Sequence, residues 1–415
     1  MVWSCNAGRT KVRTGVVVFS ALKDQATVAL PADTDYARRA LLPAGLRDEL
    51  PPEAEHRAHC IDTLLRSFAG EGYERVDPPL VEFEDSLLNG ADASVAAQTF
   101  RLMDPVSQRM LAVRPDVTVQ IARIATTRLG GRPRPLRLAY AGSVLRVRGD
   151  QLNPERQLTQ VGAELIGPDL VTADVEVIRI AIEALRALGL KGLSVDLNLA
   201  PLVPAVLDQY GIHGDARSEL RAALDRKDAA AVAALAGPAG ETLAGLLAAT
   251  GPARAALMLL TSLELPAAVA PYREKLKAIV QAILDEVPDI GLTLDPVEHR
   301  GFEYYTGVGF SLFATGVRGE LGRGGRYGVT PMDDEPGQPA TGVTLYLDAV
   351  MQAAPSAKPR KRLYLPLGTP ATIAQWHRSE GWVTVAGLQI DHDPAAEAKR
   401  LNCRHVWISD AIVAL

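Results

Sequence analysis

An α+β fold is predicted for this chain, with a central antiparallel sheet, a helical insertion and a small C-terminal α/β domain. Three observations predict it. Residues 137–146 alternate as a strand does, and residues 158–166 read as its antiparallel partner, with residues 148–156 as the loop between them. From 201 to 288 the composition shifts to Ala and Leu with scattered charges, which reads as inserted helices. Beyond a linker of Ala, Pro, Ser and Lys at 353–359, the remaining residues follow a β-α-β-α-β order.

The elements follow in order. Residues 1–36 are expected to form an extension: Arg9, Lys11 and Arg13 precede a short apolar run from Gly15 to Leu22, but no small-residue cleavage site follows. The segment therefore reads as poorly ordered, or as the product of an upstream start codon, rather than as a signal peptide. The core is expected over 37–200 and 289–352. Pro51 and Pro52 followed by Glu53 and Glu55 mark a helix start, and Ile61, Leu64, Leu65 and Phe68 keep helical spacing up to Gly70. Residues 73–82 read as a strand with prolines at an edge. Val119, Ile121 and Ile124 have helical spacing, as do Val175, Ile178, Ile182 and Leu185 within an amphipathic helix over 173–188. A strand follows at 193–199.

The insertion, 201–288, reads as a small bundle over the sheet, and nothing in its residues suggests chemistry. The sheet resumes at 292–295 and runs through 305–313. The glycine-rich run from Gly316 to Gly328 reads either as a hairpin turn needing positive φ or as a backbone cradle for an anion. Its place in the series makes it pocket-adjacent. The C-terminal domain is expected over 360–415.

Composition narrows the function classes. At 415 residues, two to three domains are expected on a prior of roughly 150 residues each. A net charge of -5 and a pI near 5.9 argue against a nucleic-acid partner. The basic run Lys358, Arg360, Lys361 and Arg362 suits a solvated linker. Cys5, Cys60 and Cys403 form no CxxC pair, which fits reduced thiols in a cytoplasm. The seven histidines show no metal-ligand spacing, and no apolar run reaches the length of a membrane span. No metal, cofactor or membrane partner is therefore expected.

Chemistry concentrates in three separated segments. Residues 298–307 gather Arg300, Glu303, Tyr304 and Tyr305, a set suited to a small polar ligand. Because adjacent strand residues face opposite ways, one of Tyr304 and Tyr305 is expected to line a pocket while the other packs behind it. Asp116, after Arg114-Pro115, suits an α-ammonium group through a charge-assisted hydrogen bond, or equally the N-cap of the following helix. Gln160 and Glu164 lie four apart on one strand and share a face. A Glu with a Tyr hydroxyl can take both imidazole N–H groups or an ammonium group, while the plainer reading of Glu164 is a partly buried structural salt bridge. Arg146 and Arg300 can pair with a ligand carboxylate or form ion pairs within the sheet.

These segments closely resemble the histidine pocket of histidyl-tRNA synthetases, and residues 73–82 resemble the first class II signature, which builds the synthetase dimer interface. The resemblance implies that Asp116 holds the amino group of histidine, that Gln160 and Glu164 face the amino acid, and that Arg300 matches the arginine that stabilises the transition state. Two signatures depart. The Arg-x-Glu pair is Arg146-Val147-Arg148, and an arginine has no acceptor for the adenine amine. The arginine that clamps the γ-phosphate is replaced by Ala349, and removing one such donor typically costs orders of magnitude in rate. Gly328 also departs from the family's Gly-Gly-Arg-Tyr-Asp pattern, whereas Asp116 and Glu303 each exchange one carboxylate for the other.

From about residue 40 to 352, with a reduced anticodon-binding-like appendage, the chain resembles the regulatory subunits of ATP phosphoribosyltransferase, which are paralogues of the synthetase. That resemblance implies a class II synthetase-like core with no catalytic residues. It further implies a short-form catalytic subunit and L-histidine as partners, a dimer within a hetero-octamer, and feedback by histidine on the first step of its own biosynthesis. The alternatives are a working histidyl-tRNA synthetase, which needs intact ATP clamps and a full anticodon domain, and a free-standing histidine or tRNA sensor.

Overall fold

The computed structural model describes residues 41–88, 93–149, 154–298, 304–330, 337–356 and 360–415. The expectations for the extension 1–36 and for Arg300 and Glu303 fall outside these residues. Residues 41–47 contain a turn in which Leu46 N donates to Pro43 O, and Asp48–Leu415 is a separate compact unit.

In that unit α1 (Glu53–Gly70) starts directly after Pro52, with Glu53 and Glu55 in its first turn where the helix dipole favours carboxylates. It buries Cys60, Leu64 and Phe68. The two-residue β1 (Glu74–Arg75) follows. Next come β2 (Val81–Phe83), α2 (Glu84–Leu87), α3 (Ala93–Ala97), β3 (Phe100–Met103) and β4 (Met110–Val113). Strands β2, β4 and β3 form a small antiparallel sheet. Helix α4 (Thr118–Thr126) leaves that sheet and buries Gln120, Ile121 and Ala125.

The main sheet is built from β1, β5 (Leu136–Leu145), β6 (Gln157–Ile166), β7 (Leu193–Leu199), β8 (Gly251–Pro252), β9 (Gly291–Asp295), β10 (Tyr305–Ala314), β11 (Gly322–Val329) and β12 (Gln338–Tyr346). Its order is β1-β5-β6-β12-β11-β10-β7-β9-β8. The six strands from β5 to β7 are antiparallel, but β1–β5 and β7–β9 are parallel, so the sheet is mixed rather than wholly antiparallel. The parallel pair β7–β9 is possible because helices, not a tight turn, connect those strands.

Helix α5 (Val171–Ala187) lies on this sheet with a broad buried face, because α1 and an insertion helix pack against it as well, and it keeps Arg179, Glu183 and Arg186 on its polar side. The insertion holds α6 (Leu202–Gln209), α7 (Gly214–Asp225), α8 (Ala229–Leu235), α9 (Gly240–Ala248), α10 (Ala253–Ser262) and α11 (Ala270–Glu286). It is helical apart from β8, whose two residues pair with β9. Helix α12 (Leu347–Ala353) closes the core, and its Leu347 and Val350 are buried.

One expectation is corrected. Most of the glycine-rich run is neither a turn nor a loop. Gly316 and Gly319 take positive φ in a turn, but residues from Gly322 onward form β11, paired on both sides in the middle of the sheet. Small residues are required there by close approach: a Cβ on Gly325 would stand 2.8 Å from the Tyr305 ring. The C-terminal residues form β13 (Arg362–Leu365), α13 (Ala371–Ser379), β14 (Val383–Ala386), α14 (Pro394–Arg400), β15 (His405–Ile408) and one strand more than expected, β16 (Ala411–Ala414). Ser409 and Asp410, both at positive φ, make the two-residue turn that returns β16 against β15.

Candidate ligand-binding site

Strand β6 sets out the site. Gln160 and Glu164 share one face, and both are buried, at 2 % and 1 % exposed. The residue opposite Glu164 on β12 is Gly342. A Cβ on Gly342 would fall 1.6 Å from Glu164 Oε2, so only glycine leaves room for the carboxyl group.

Asp116 and Gln160 lock together. Gln160 Nε2 donates to Asp116 Oδ2 at 2.7 Å, and Gln160 Oε1 accepts from Val117 N at 2.9 Å. The other carboxylate oxygen, Asp116 Oδ1, accepts from Thr118 N at 2.8 Å at the start of α4. Asp116 is not the N-cap residue, which is Val117, but one of its oxygens holds the first backbone N–H of the helix while the other is held by Gln160. Arg114 fixes this loop from behind. It is 5 % exposed and donates to the carbonyl oxygens of Ser143 and Pro78, both at 2.8 Å, and to Gln120 Oε1 at 3.2 Å. Gln120 in turn donates to Pro79 O and to Glu82, which Arg123 holds from its other side.

Glu164 sits among hydroxyls. Tyr327 OH donates to Glu164 Oε2 at 2.9 Å, and Tyr140 OH lies 3.4 Å from Oε1. Tyr140 OH also meets Thr344 Oγ1 at 2.8 Å and Thr118 Oγ1 at 3.3 Å. Among the described residues no ion pair includes Glu164, so the salt-bridge reading is replaced by a hydroxyl network. Burial is the main cause that pushes its carboxyl up to about 8; the charge of Asp116 adds to this, while the hydrogen bonds from Tyr327, Tyr140 and Thr118 oppose it. At neutral pH without ligand, Glu164 is mostly protonated.

The tyrosines depart from simple alternation. Tyr304 is 45 % exposed and sits in the turn before β10, while Tyr305 opens the strand at 6 % exposed. Their rings stack at 4.1 Å between centroids, and Tyr304 meets Tyr327 edge-on at 6.1 Å. Opposite-face alternation fails because Tyr304 is not in the strand and because β10 is irregular against β11 between Tyr305 and Gly309.

Cations stand near the Gln160 end. Arg146 follows β5, where its N donates to Arg156 O at 2.8 Å. Tyr346, in register with Gln160, has its hydroxyl pushed up to about 12 by burial, while the charges of Arg323 and Arg146 act in the opposite direction. Both arginines thus act electrostatically at the Gln160 end of the site. Arg323 is also held by Glu320 at 2.7 Å. Arg148 is exposed. Ala349 packs its methyl against the hydrophobic core, and its neighbour Asp348 accepts from Arg57 Nη2 at 2.6 Å. Asp116 and the two arginine charges all act on Tyr346 beside Gln160, while Glu164 lies further along β6; groups of both signs around one pocket suit a small zwitterionic ligand.

Of the residues expected at a site, Asp116, Gln160, Glu164, Tyr304 and Tyr305 come together, Arg146 acts electrostatically at the Gln160 end, and Arg300 is outside the described residues. Sequence reasoning missed Tyr140, Thr118, Thr344 and Tyr346, whose positions depend on strand register. Tyr327 had a signal, its place in the Gly-Gly-Arg-Tyr run. Among the described residues no group of His, Cys, Asp and Glu is arranged to hold a metal ion, and no helix is long and apolar enough to cross a membrane.

Known proteins are similar to this chain in sequence and fold. The histidyl-tRNA synthetase family matches residues 45–350. An ATP phosphoribosyltransferase regulatory subunit of Paramagnetospirillum magneticum is 54 % identical over 92 % of this chain and 99 % of its own length. One of the same name from Rhodospirillum centenum is 52 % identical, over 90 % and 96 %. Among solved structures, an ATP phosphoribosyltransferase regulatory subunit/histidyl-tRNA synthetase from Bacillus halodurans superposes with a TM-score of 0.74 at 26 % identity, covering 87 % of this chain and 96 % of that one.

Proposed function

The chain belongs to the ATP phosphoribosyltransferase regulatory subunits, within the histidyl-tRNA synthetase family, and from that premise we propose that its pocket is a histidine sensor. It is a regulatory subunit of histidine biosynthesis, with catalysis in a partner subunit. The ligand reading goes further. Asp116, oriented by Gln160, receives the α-ammonium group. Glu164 and the tyrosines receive the imidazole, and Arg146, with Arg300, receives the carboxylate. L-Histidine then acts on the short catalytic subunit by binding two assembly states unequally. A dimer of this chain within a hetero-octamer, a cytoplasmic location, and a division into core (37–200 and 289–352), insertion (201–288) and C-terminal domain (360–415) complete the proposal.

What supports the reading is the buried polar set Asp116–Gln160 and Glu164–Tyr327, hydrogen-bonded at 2.7 and 2.9 Å, together with the synthetase resemblance that aligns Ala349 with the phosphate-clamping arginine. Isothermal titration with L-histidine and then ATP tests it, on wild type and Glu164→Ala. Histidine heat that the substitution abolishes, with no ATP heat, supports the sensor. Tight ATP binding strengthened by histidine would instead restore the synthetase reading.

A further inference from the structure

Strand β11 presents two adjacent side chains to two different environments. Tyr327 reaches Glu164 in the pocket at 2.9 Å. Arg326, one residue earlier, faces the opposite way and is 5 % exposed. Its Nη2 lies 2.8 Å from Asp174 Oδ1, and its guanidinium also donates to the carbonyl oxygens of Pro168 at 3.0 Å and Leu170 at 2.9 Å. Asp169 Oδ1 lies 3.2 Å from Arg326 Nη1 and accepts Lys275 of α11 at 2.9 Å. A continuous set of contacts thus joins the insertion to the pocket carboxyl: Lys275, Asp169, Arg326, the β11 backbone, Tyr327 and Glu164.

The surroundings leave room for movement. A cleft of about 440 Å³ opens beside this strand, lined by Tyr272 and Lys275 from α11, by Arg326 and Gly328 from β11, and by Thr306 and Gln338. Gly328 has nothing within 4 Å of a Cβ position, and the β10–β11 register is irregular between Tyr305 and Gly309. A closely packed sheet resists displacement, whereas this end of β11 borders empty space on its Arg326 side.

We infer that occupation of the pocket is coupled through Arg326 and the Asp169–Lys275 pair to the seating of helix α11, so that the insertion reports the ligand state. This rests on the reading that L-histidine binds beside Glu164. Coupling is reciprocal. Weakening the hold on α11 must therefore shift histidine affinity, although Lys275 touches no pocket residue named above. The Asp169–Lys275 pair is half-exposed and individually weak, so the shift from Lys275→Met is modest, about three- to fivefold. Arg326→Lys keeps the charge but loses the multi-acceptor fork, and the shift rises to about tenfold or more.

The test uses the full chain with L-histidine, calorimetry for affinity, and amide hydrogen exchange across α11. In wild type, saturating histidine is expected to change exchange in α11 threefold or more. Lys275→Met abolishes that change and shifts Kd as stated, whereas Lys277→Met, on the same helix, reproduces wild type. Histidine that binds without altering α11 exchange, or that alters it equally in Lys275→Met, overturns the coupling and leaves the pocket reading standing. Absence of histidine binding in wild type removes both.

Discussion

Replacing Glu164 with Gln should stabilise the ligand-free protein increasingly as pH rises. The carboxyl is 1 % exposed, and burial lifts it from 4.5 to about 8. Between those values the unfolded chain is ionised here and the folded chain is not. The folded state then holds the extra proton, so its stability is full below 4.5 and is lost as pH rises through 8. At ~1.4 kcal/mol for each tenfold change, the loss is about 1 kcal/mol at pH 5 and about 3 kcal/mol at pH 7. Gln mimics the neutral acid: its oxygen can accept from Tyr327, and its NH2 faces Tyr140 OH, which lies 3.4 Å from Oε1. It cannot ionise, so its advantage over wild type should grow by about 2 kcal/mol between pH 5 and 7. Denaturant unfolding of both proteins at pH 5, 6 and 7 measures this difference and cancels every other titrating group. A constant difference, or one that shrinks with pH, would refute the assignment of Glu164 as a buried neutral acid.

Other outcomes follow from the same geometry. Gly342→Ala places a methyl on the Glu164 carboxyl, so calorimetry should show histidine affinity falling at least tenfold, with a stability cost of about 1–3 kcal/mol. Arg114→Ala strands three buried acceptors behind the Asp116 loop; denaturation should record about 3 kcal/mol or more of lost stability, with histidine binding weakened. Ile178→Ala, fully buried on α5, should cost about 2–5 kcal/mol in unfolding experiments while leaving histidine affinity nearly unchanged. Ala349→Arg alone should leave histidine-dependent ATP–pyrophosphate exchange at background, because Arg148 still supplies a second cation where a carboxylate is needed.

Much of this protein was legible along the chain because its signals are local. Helical spacing placed α1 and α5 to within a few residues, and strand alternation located β5 and β6. The four-residue spacing of Gln160 and Glu164 put both on one face, since side-chain direction in a strand has a period of two. The pocket motifs were likewise local strings, Arg114-Pro115-Asp116 and Tyr304-Tyr305. What the chain by itself could not decide is what stands opposite what. The glycines of β11 and β12 are turn signals in isolation; only their pairing shows that Gly342 clears the Glu164 carboxyl and Gly325 clears the Tyr305 ring. Tyr140, Thr118 and Thr344 meet at Glu164 from three distant parts of the sequence, a convergence set by register and not by spacing. The raised proton affinity of Glu164 has the same origin. A carboxyl in sequence is an acid near 4.5, and only tertiary burial among hydroxyls, without a paired cation among the described residues, makes it neutral at pH 7.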